Sequence, residues 1–161
     1  MKKIIGVLLL GMAGLFFAGC SGEPEIKATD ENIKEVVQQE IKRLGNDADL
    51  NHIDVSEVTN MKGLFSGSKF NGDISQWNVS KVEDMRSMFK GSEFNGDISK
   101  WNVSKVKNMS YMFDGSKFNG DVSKWDFSNP RDLSWMFSES PAAEKYGAFG
   151  EYFWDESFRN K

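Results

Sequence analysis

The sequence predicts an α/β fold, a short solenoid of about four 24-residue strand-helix turns with an N-terminal capping helix. Two observations lead to this prediction. The tetrapeptide Phe-Asn-Gly-Asp recurs at Phe70, Phe94 and Phe118, at a constant interval of 24 residues, and such a period is typical of repeat architectures. An amphipathic helical pattern precedes the repeats, and a one-sided helix can cover the exposed end of a repeat core.

The helical pattern occupies residues 30–45. Its apolar side chains follow the i, i+3, i+4 spacing of one helix face at Ile33, Val36, Val37, Ile41 and Leu44. Thr29 or Asp30 can cap its start, and Gly45 is a typical stop. We expect this helix to cover the N-terminal end of the solenoid.

The repeats occupy residues 46–141. We divide them into four copies, residues 46–69, 70–93, 94–117 and 118–141. The first and last copies are the most divergent, as terminal capping units usually are. Residues 142–161 are rich in aromatic side chains, and we expect them to form a C-terminal cap or tail over the last copy.

Each copy contains a strand-like and a helix-like part. Ile74, Trp77 and Val79 fit the L-x-x-L-x-L spacing of a leucine-rich repeat and predict a short strand centred on residues 77–79. A helical spacing follows at Val82, Met85, Met88 and Phe89. Ser80 and Glu83 match a capping box at the start of this helix.

The N-terminus has the layout of a secretory signal peptide over residues 1–19. Lys2 and Lys3 precede an apolar run at residues 4–18, which is shorter than the roughly 20 residues a spanning helix needs. The small residues before Cys20 resemble the lipobox of bacterial lipoproteins, which implies that Cys20 becomes acylated. An uncleaved anchor and an ordinary signal peptide are the alternatives.

If Cys20 is acylated, the membrane is the first partner of this protein. Residues 20–29 contain Gly22 and Pro24 without an apolar period, and we expect a flexible linker there. The lipobox resemblance implies attachment to the exported side of a cell membrane or outer membrane.

The composition excludes several classes of function. The formal net charge is −4, and a negative surface repels nucleic acid. A single cysteine rules out an intrachain disulfide framework. His52 is the only histidine, so the common nucleophilic triads lack a base, and we interpret His52 as an exposed surface side chain. We expect one domain that is a monomer and has neither enzymatic activity nor a cofactor.

The repeat units N-V-S-K-V-x-x-M-x-x-M-F and F-N-G-D-I-S-x-W resemble the BspA-like leucine-rich-repeat family of bacterial surface lipoproteins, over about residues 46–137. The resemblance implies a surface or periplasmic location and a binding role, which in some members is adhesion to host proteins.

Three aspartates, Asp73, Asp97 and Asp121, recur at one position of successive copies and would form a ladder. Because every copy has this residue, we interpret it as turn chemistry, in which the carboxylate accepts hydrogen bonds from nearby amides. A calcium site and, more remotely, a catalytic carboxylate pair are the alternatives.

The predicted strand alternation turns one row of polar side chains away from the core. These residues are His52, Asp54, Gln76, Asn78, Lys100, Asn102, Lys124 and Asp126. Their mixed charges favour a protein or glycan partner over an apolar ligand. The leading functional hypothesis is a surface interaction or adhesion module. The alternatives are a structural envelope lipoprotein without an external ligand and a calcium-dependent glycan-binding or hydrolytic protein.

Overall fold

The computed structural model describes residues 25–130 and 132–147. Its regular elements are β1 (Ile26–Lys27), α1 (Ile33–Leu44), β2 (Ile53–Asp54) and α2 (Ala143–Tyr146). β1 pairs with β2 in parallel, with Ile26 opposite Ile53. None of the helices in these residues has the length and apolar character needed to cross a membrane. The predicted signal peptide, Cys20 and most of the predicted C-terminal cap lie outside the described residues.

Helix α1 covers the first copy with one face. Ile33 and Val37 on this face are buried in the main core, and Gly45, with a φ of 98°, ends the helix. Neither predicted cap acts as one. The Asn32 side chain accepts the Thr29 N–H at 2.7 Å, while Asp30 binds the first copy instead. The expected flexible linker is also shorter than predicted, because its last part forms β1 and buries Ala28.

Backbone hydrogen bonds join each copy to the next at a constant offset. In the first copy, the N–H groups of Met61, Gly63, Phe65 and Gly67 donate to carbonyl oxygens 23 residues further along the chain, at 2.8–2.9 Å. The next two copies repeat this pattern. We call the segments that contain these donors, and the equivalent segment of the fourth copy, the ladder segments, residues 61–67, 85–91, 109–115 and 133–139; the first acceptor of each row lies one residue earlier. Each one directs its donors towards the following copy and its acceptors towards the preceding one.

The short helix predicted after Ser80 is absent from the described residues. The third residue of every ladder segment has a left-handed backbone, with φ of 63° at Gly63, 54° at Ser87, 58° at Tyr111 and 58° at Trp135. A left-handed residue interrupts an α-helix. Tight turns take the place of the predicted helix. In one of them, the Met88 N–H donates to the Met85 carbonyl at 3.1 Å. Such turns also bury every third residue, which explains the helix-like spacing.

The predicted strand around residues 77–79 is also absent, and among the described copies only the first has a strand there, β2. In later copies the tryptophan side chain makes the contact between neighbours. The indole N–H of Trp77 donates to the Leu50 carbonyl at 2.9 Å, and that of Trp101 to the Ile74 carbonyl at 3.2 Å. In these copies, a hydrogen bond from the tryptophan side chain therefore takes the place of backbone hydrogen bonds between neighbouring strands.

Stacked phenylalanine rings form the centre of the core. Phe65, Phe89, Phe113 and Phe137 follow one another at centroid distances of 5.3, 5.5 and 5.5 Å. A second row of rings lies beside them at Phe70, Phe94 and Phe118. A glycine lies two residues after each phenylalanine of the second row. At Gly96, for example, a Cβ would lie 2.8 Å from the Phe94 ring. Each such aromatic pair contributes about 0.5–1.5 kcal/mol beyond the burial of its area.

The left-handed position in the ladder segment predicts the effect of a glycine there. Ser87→Gly should raise the free energy of unfolding by about 1 kcal/mol, because glycine adopts a positive φ without the steric cost that serine has. Ser80 does not have a positive φ, so Ser80→Gly is the matched control and should lower stability by about 0.5–1 kcal/mol. Urea unfolding measures both. An equal loss in the two variants would contradict the left-handed assignment.

Candidate functional site

The candidate site is a row of polar side chains on the outer surface of the copies. Six of the eight predicted residues are exposed, namely Gln76, Asn78, Lys100, Asn102, Lys124 and Asp126. We call these six residues the polar face. Between them, Trp77 and Val79 and their counterparts in the next copy are buried. The alternation of exposed and buried residues predicted from the sequence is thus present without a regular strand.

His52 does not lie on the polar face, and its interpretation as an exposed side chain is wrong. Its side chain is only 9 % exposed, and its Nε2 lies 2.9 Å from Oε2 of Glu40 in α1. Arg43 binds the same carboxylate at 2.6 Å. The hydrogen bond from Arg43 holds the pKa of Glu40 below its usual range against the opposing effect of burial, and His52 adds to this lowering. α1 therefore covers the first copy at this point, and Asp54 beside it is half-buried.

Asn and Asp recur on the polar face because they form turns. Oδ1 of Asn78 accepts the Ser80 N–H at 3.2 Å, and Oδ1 of Asp126 accepts the Ser128 N–H at 2.9 Å. These hydrogen bonds to the residue two positions on define Asx turns. Ser80 is therefore held by Asn78 and does not form the predicted capping box. Glu83, the other residue of that box, pairs with Lys107 of the next copy at 2.7 Å.

The two lysines of the polar face carry the charge that is available to a partner. Lys100 and Lys124 occupy the same position in neighbouring copies and are both exposed. Within residues 25–130 and 132–147, no salt bridge involves either of them. Other lysines connect neighbouring copies, as Lys81 does with Glu57 at 2.7 Å. The polar face therefore presents two cationic groups and the carboxylate of Asp126, together with amides that are partly engaged in turns.

A further exposed group escaped the sequence analysis. Tyr111 is 37 % exposed at a left-handed ladder position, and the Nζ of Lys90 lies 4.8 Å from the centre of its ring. Lys90 also pairs with Asp114 at 2.8 Å, and this hydrogen bond raises the pKa of Lys90. The only signal in the sequence was an aromatic residue at the position that Gly63 occupies in the first copy.

The three recurring aspartates form the hydrogen bonds that the turn interpretation predicts. Oδ1 of Asp73, Asp97 and Asp121 accepts the N–H of the serine two residues on, at 2.8, 2.9 and 2.9 Å. The Ser99 N–H and hydroxyl hold the pKa of Asp97 below its usual range. In the part of the chain that the structure describes, no group of three His, Cys, Asp or Glu side chains is placed to hold a metal ion.

Residues 31–148 match the family described as Mycoplasma protein of unknown function, DUF285. The chain belongs to this family. The DUF285 match includes α1, all four copies and α2. No curated protein and no solved structure matches the chain.

The Asx turn at Asp97 gives a test that separates turn chemistry from calcium binding. Asp97→Ala should lower the free energy of unfolding by about 1 kcal/mol, because the Ser99 N–H loses its acceptor. Asp97→Asn keeps the acceptor and should remain close to wild type. Thermal unfolding is measured with and without calcium. A calcium-dependent rise in the melting temperature that Asp97→Asn abolishes would establish the calcium site and contradict the turn interpretation.

Proposed function

We propose that this protein is a membrane-anchored bacterial surface lipoprotein that binds a protein or glycan partner, without enzymatic activity, cofactor or nucleic-acid partner. Its copies then form a short leucine-rich-repeat-like solenoid that serves as an interaction or adhesion module. The observation that carries the proposal is the polar face, where exposed residues recur at one position of successive copies. The resemblance of the repeat units to the BspA-like family supports the same conclusion.

The chemistry of the polar face favours a polar ligand. Its exposed lysines, Lys100 and Lys124, have no salt bridge among the described residues and can pair with a partner's carboxylates or sulfates. Gln76 and the neighbouring amides offer hydrogen bonds to hydroxyl or peptide groups. Because these groups repeat at the interval of the copies, the face suits an extended ligand, such as a glycan chain or a polypeptide segment. Stacked repeats commonly bind partners through such surfaces.

The membrane attachment is the second part of the proposal. Cys20 precedes β1 by only a few residues, which span roughly 20 Å when fully extended. Acylation at Cys20 would therefore hold the N-terminal end of the stack, with α1, close to the bilayer. Each buried methylene contributes about 0.8 kcal/mol, so two or three acyl chains give stable attachment.

The anchor is tested by removal of the thiol. Cys20→Ala should shift the protein from the membrane fraction to the soluble exported fraction and abolish incorporation of radiolabelled palmitate. Cys20→Ser is a second variant that lacks the thiol and preserves its size. If either variant stays in the membrane fraction and has the same mass as the wild-type protein, residues 4–18 are a permanent membrane anchor. This result would exclude the lipoprotein proposal.

The polar face is tested by charge reversal. The mature domain is applied to an array of immobilised sulfated glycans, neutral glycans and extracellular-matrix proteins. The double variant Lys100→Glu/Lys124→Glu should weaken binding to the ligand that the array identifies at least about tenfold, because each reversal turns attraction into repulsion. The matched control Lys34→Glu/Lys42→Glu changes the net charge equally at exposed positions of α1 and should bind as wild type. An equal loss in the control would show that net charge, and not the polar face, governs binding.

A further inference from the structure

The last copy has an open edge of backbone donors. In the first three copies, the alternate N–H groups of each ladder segment donate to the next copy, as those of Met109 and Tyr111 do at 2.9 Å. The corresponding groups of the fourth copy point away from the stack. Among the residues that the structure describes, the N–H groups of Leu133, Trp135 and Glu139 have no acceptor. We call these three groups the open donors.

An open row of this kind has a free-energy cost. Leu133 and Trp135 are half-buried residues, and a donor that burial leaves without an acceptor costs about 1–3 kcal/mol. Trp135 also has a φ of 58°, an unfavourable conformation for a bulky residue. The chain keeps the same row geometry here as in the interior, where a following copy accepts the donors.

The opposite end of the stack shows how this chain completes an edge. In the second copy, the Glu83 N–H donates to the Thr59 carbonyl of the first copy at 2.7 Å. No copy precedes the first one, and the carboxylate of Asp30 takes the place of that carbonyl. It accepts the N–H groups of Thr59 at 2.7 Å and of Asn60 at 3.0 Å. A segment outside the copies therefore supplies the missing acceptor.

At the C-terminal end, α2 packs against the fourth copy. The Ala142 N–H donates to the Phe118 carbonyl at 3.1 Å, and the Tyr146 ring packs 5.2 Å from that of Phe137. Gly147, with a φ of 80°, then ends α2. Residues 148–161 follow directly, and at about 3.3 Å per extended residue they can span the whole row.

We propose that residues 148–161 dock along the last ladder segment, so that their backbone carbonyls accept the open donors and their aromatic side chains cover the end of the core. Their five aromatic residues are Phe149, Tyr152, Phe153, Trp154 and Phe158. Tethering through α2 gives this segment an effective concentration in the millimolar range, so it outcompetes dilute ligands. The docking does not depend on the lipid anchor or on the polar face.

A second copy of the chain is the competing occupant, and the structure disfavours it. Its acceptors would be the carbonyls of the first ladder segment, around Asn60, Lys62 and Leu64. Asp30 and the first turn of α1 share a cavity of about 220 Å³ with these residues. A second copy would therefore have to approach with α1 beside its acceptors, whereas residues 148–161 are already tethered to the last copy through α2.

Amide hydrogen exchange, followed by NMR, tests the docking in the full mature chain. The amides of Leu133, Trp135 and Glu139 should exchange at least about tenfold more slowly than in a chain that ends at Gly147. Those of Met109, Tyr111 and Gly115 should differ by less than about twofold, which shows that the shortened chain is folded. Because a shortened chain can fail to fold, the full-length variant Phe153→Asp/Trp154→Asp provides a second comparison and should also expose the open donors.

A synthetic peptide of residues 148–161, added to the shortened chain, should restore the slow exchange, whereas a scrambled peptide of the same composition should not. Fast exchange of the open donors in the full chain would overturn the proposal. So would equal protection by the scrambled peptide, which would indicate an edge without preference for its own segment. Protection that rises with protein concentration, together with dimers in sedimentation, would assign the edge to a second copy.

Discussion

The rest of the structure depends on the hydrogen bonds between ladder segments. They fix a register of one copy per 24 residues and place equivalent side chains above one another. The phenylalanine rings stack at 5.3–5.5 Å because this register brings them together, and the Trp101 indole reaches the Ile74 carbonyl for the same reason. Within the ladder segments their direction is also uniform, so the carbonyls of the first segment and the N–H groups of the last segment have no neighbouring ladder segment to pair with.

The same register produces the candidate binding surface. Lys100 and Lys124 are neighbours in space because they occupy one position of successive copies, and the buried tryptophans between them hold the surrounding backbone in place. Most of the adjacent Asn and Asp side chains are engaged in turns. The lysines and Gln76 therefore remain as the variable part of a surface whose other positions are set by the fold.

Several sequence predictions failed where two local patterns overlapped. Ser80 belongs both to an Asn-x-Ser turn and to a Ser-x-x-Glu capping box, and only the backbone of the ladder segment excludes the second. The spacing of Met85 and Met88 suits a helix as well as a series of tight turns. The prediction for His52 is wrong because α1 buries this side chain. No local sequence pattern indicates that α1 lies over the first copy.

The sequence by itself determined the period of 24, the four copies, the amphipathic helix α1 and the alternation of exposed and buried residues on the polar face, because each is a local pattern written in residue types. Only the tertiary structure decided that ladder segments replace helices, that Asp30 closes the first copy and that the last copy has open donors. The physical reason is that every residue except proline has the same backbone N–H and C=O groups. Their partners follow from the stacking of copies and leave no trace in side-chain identity.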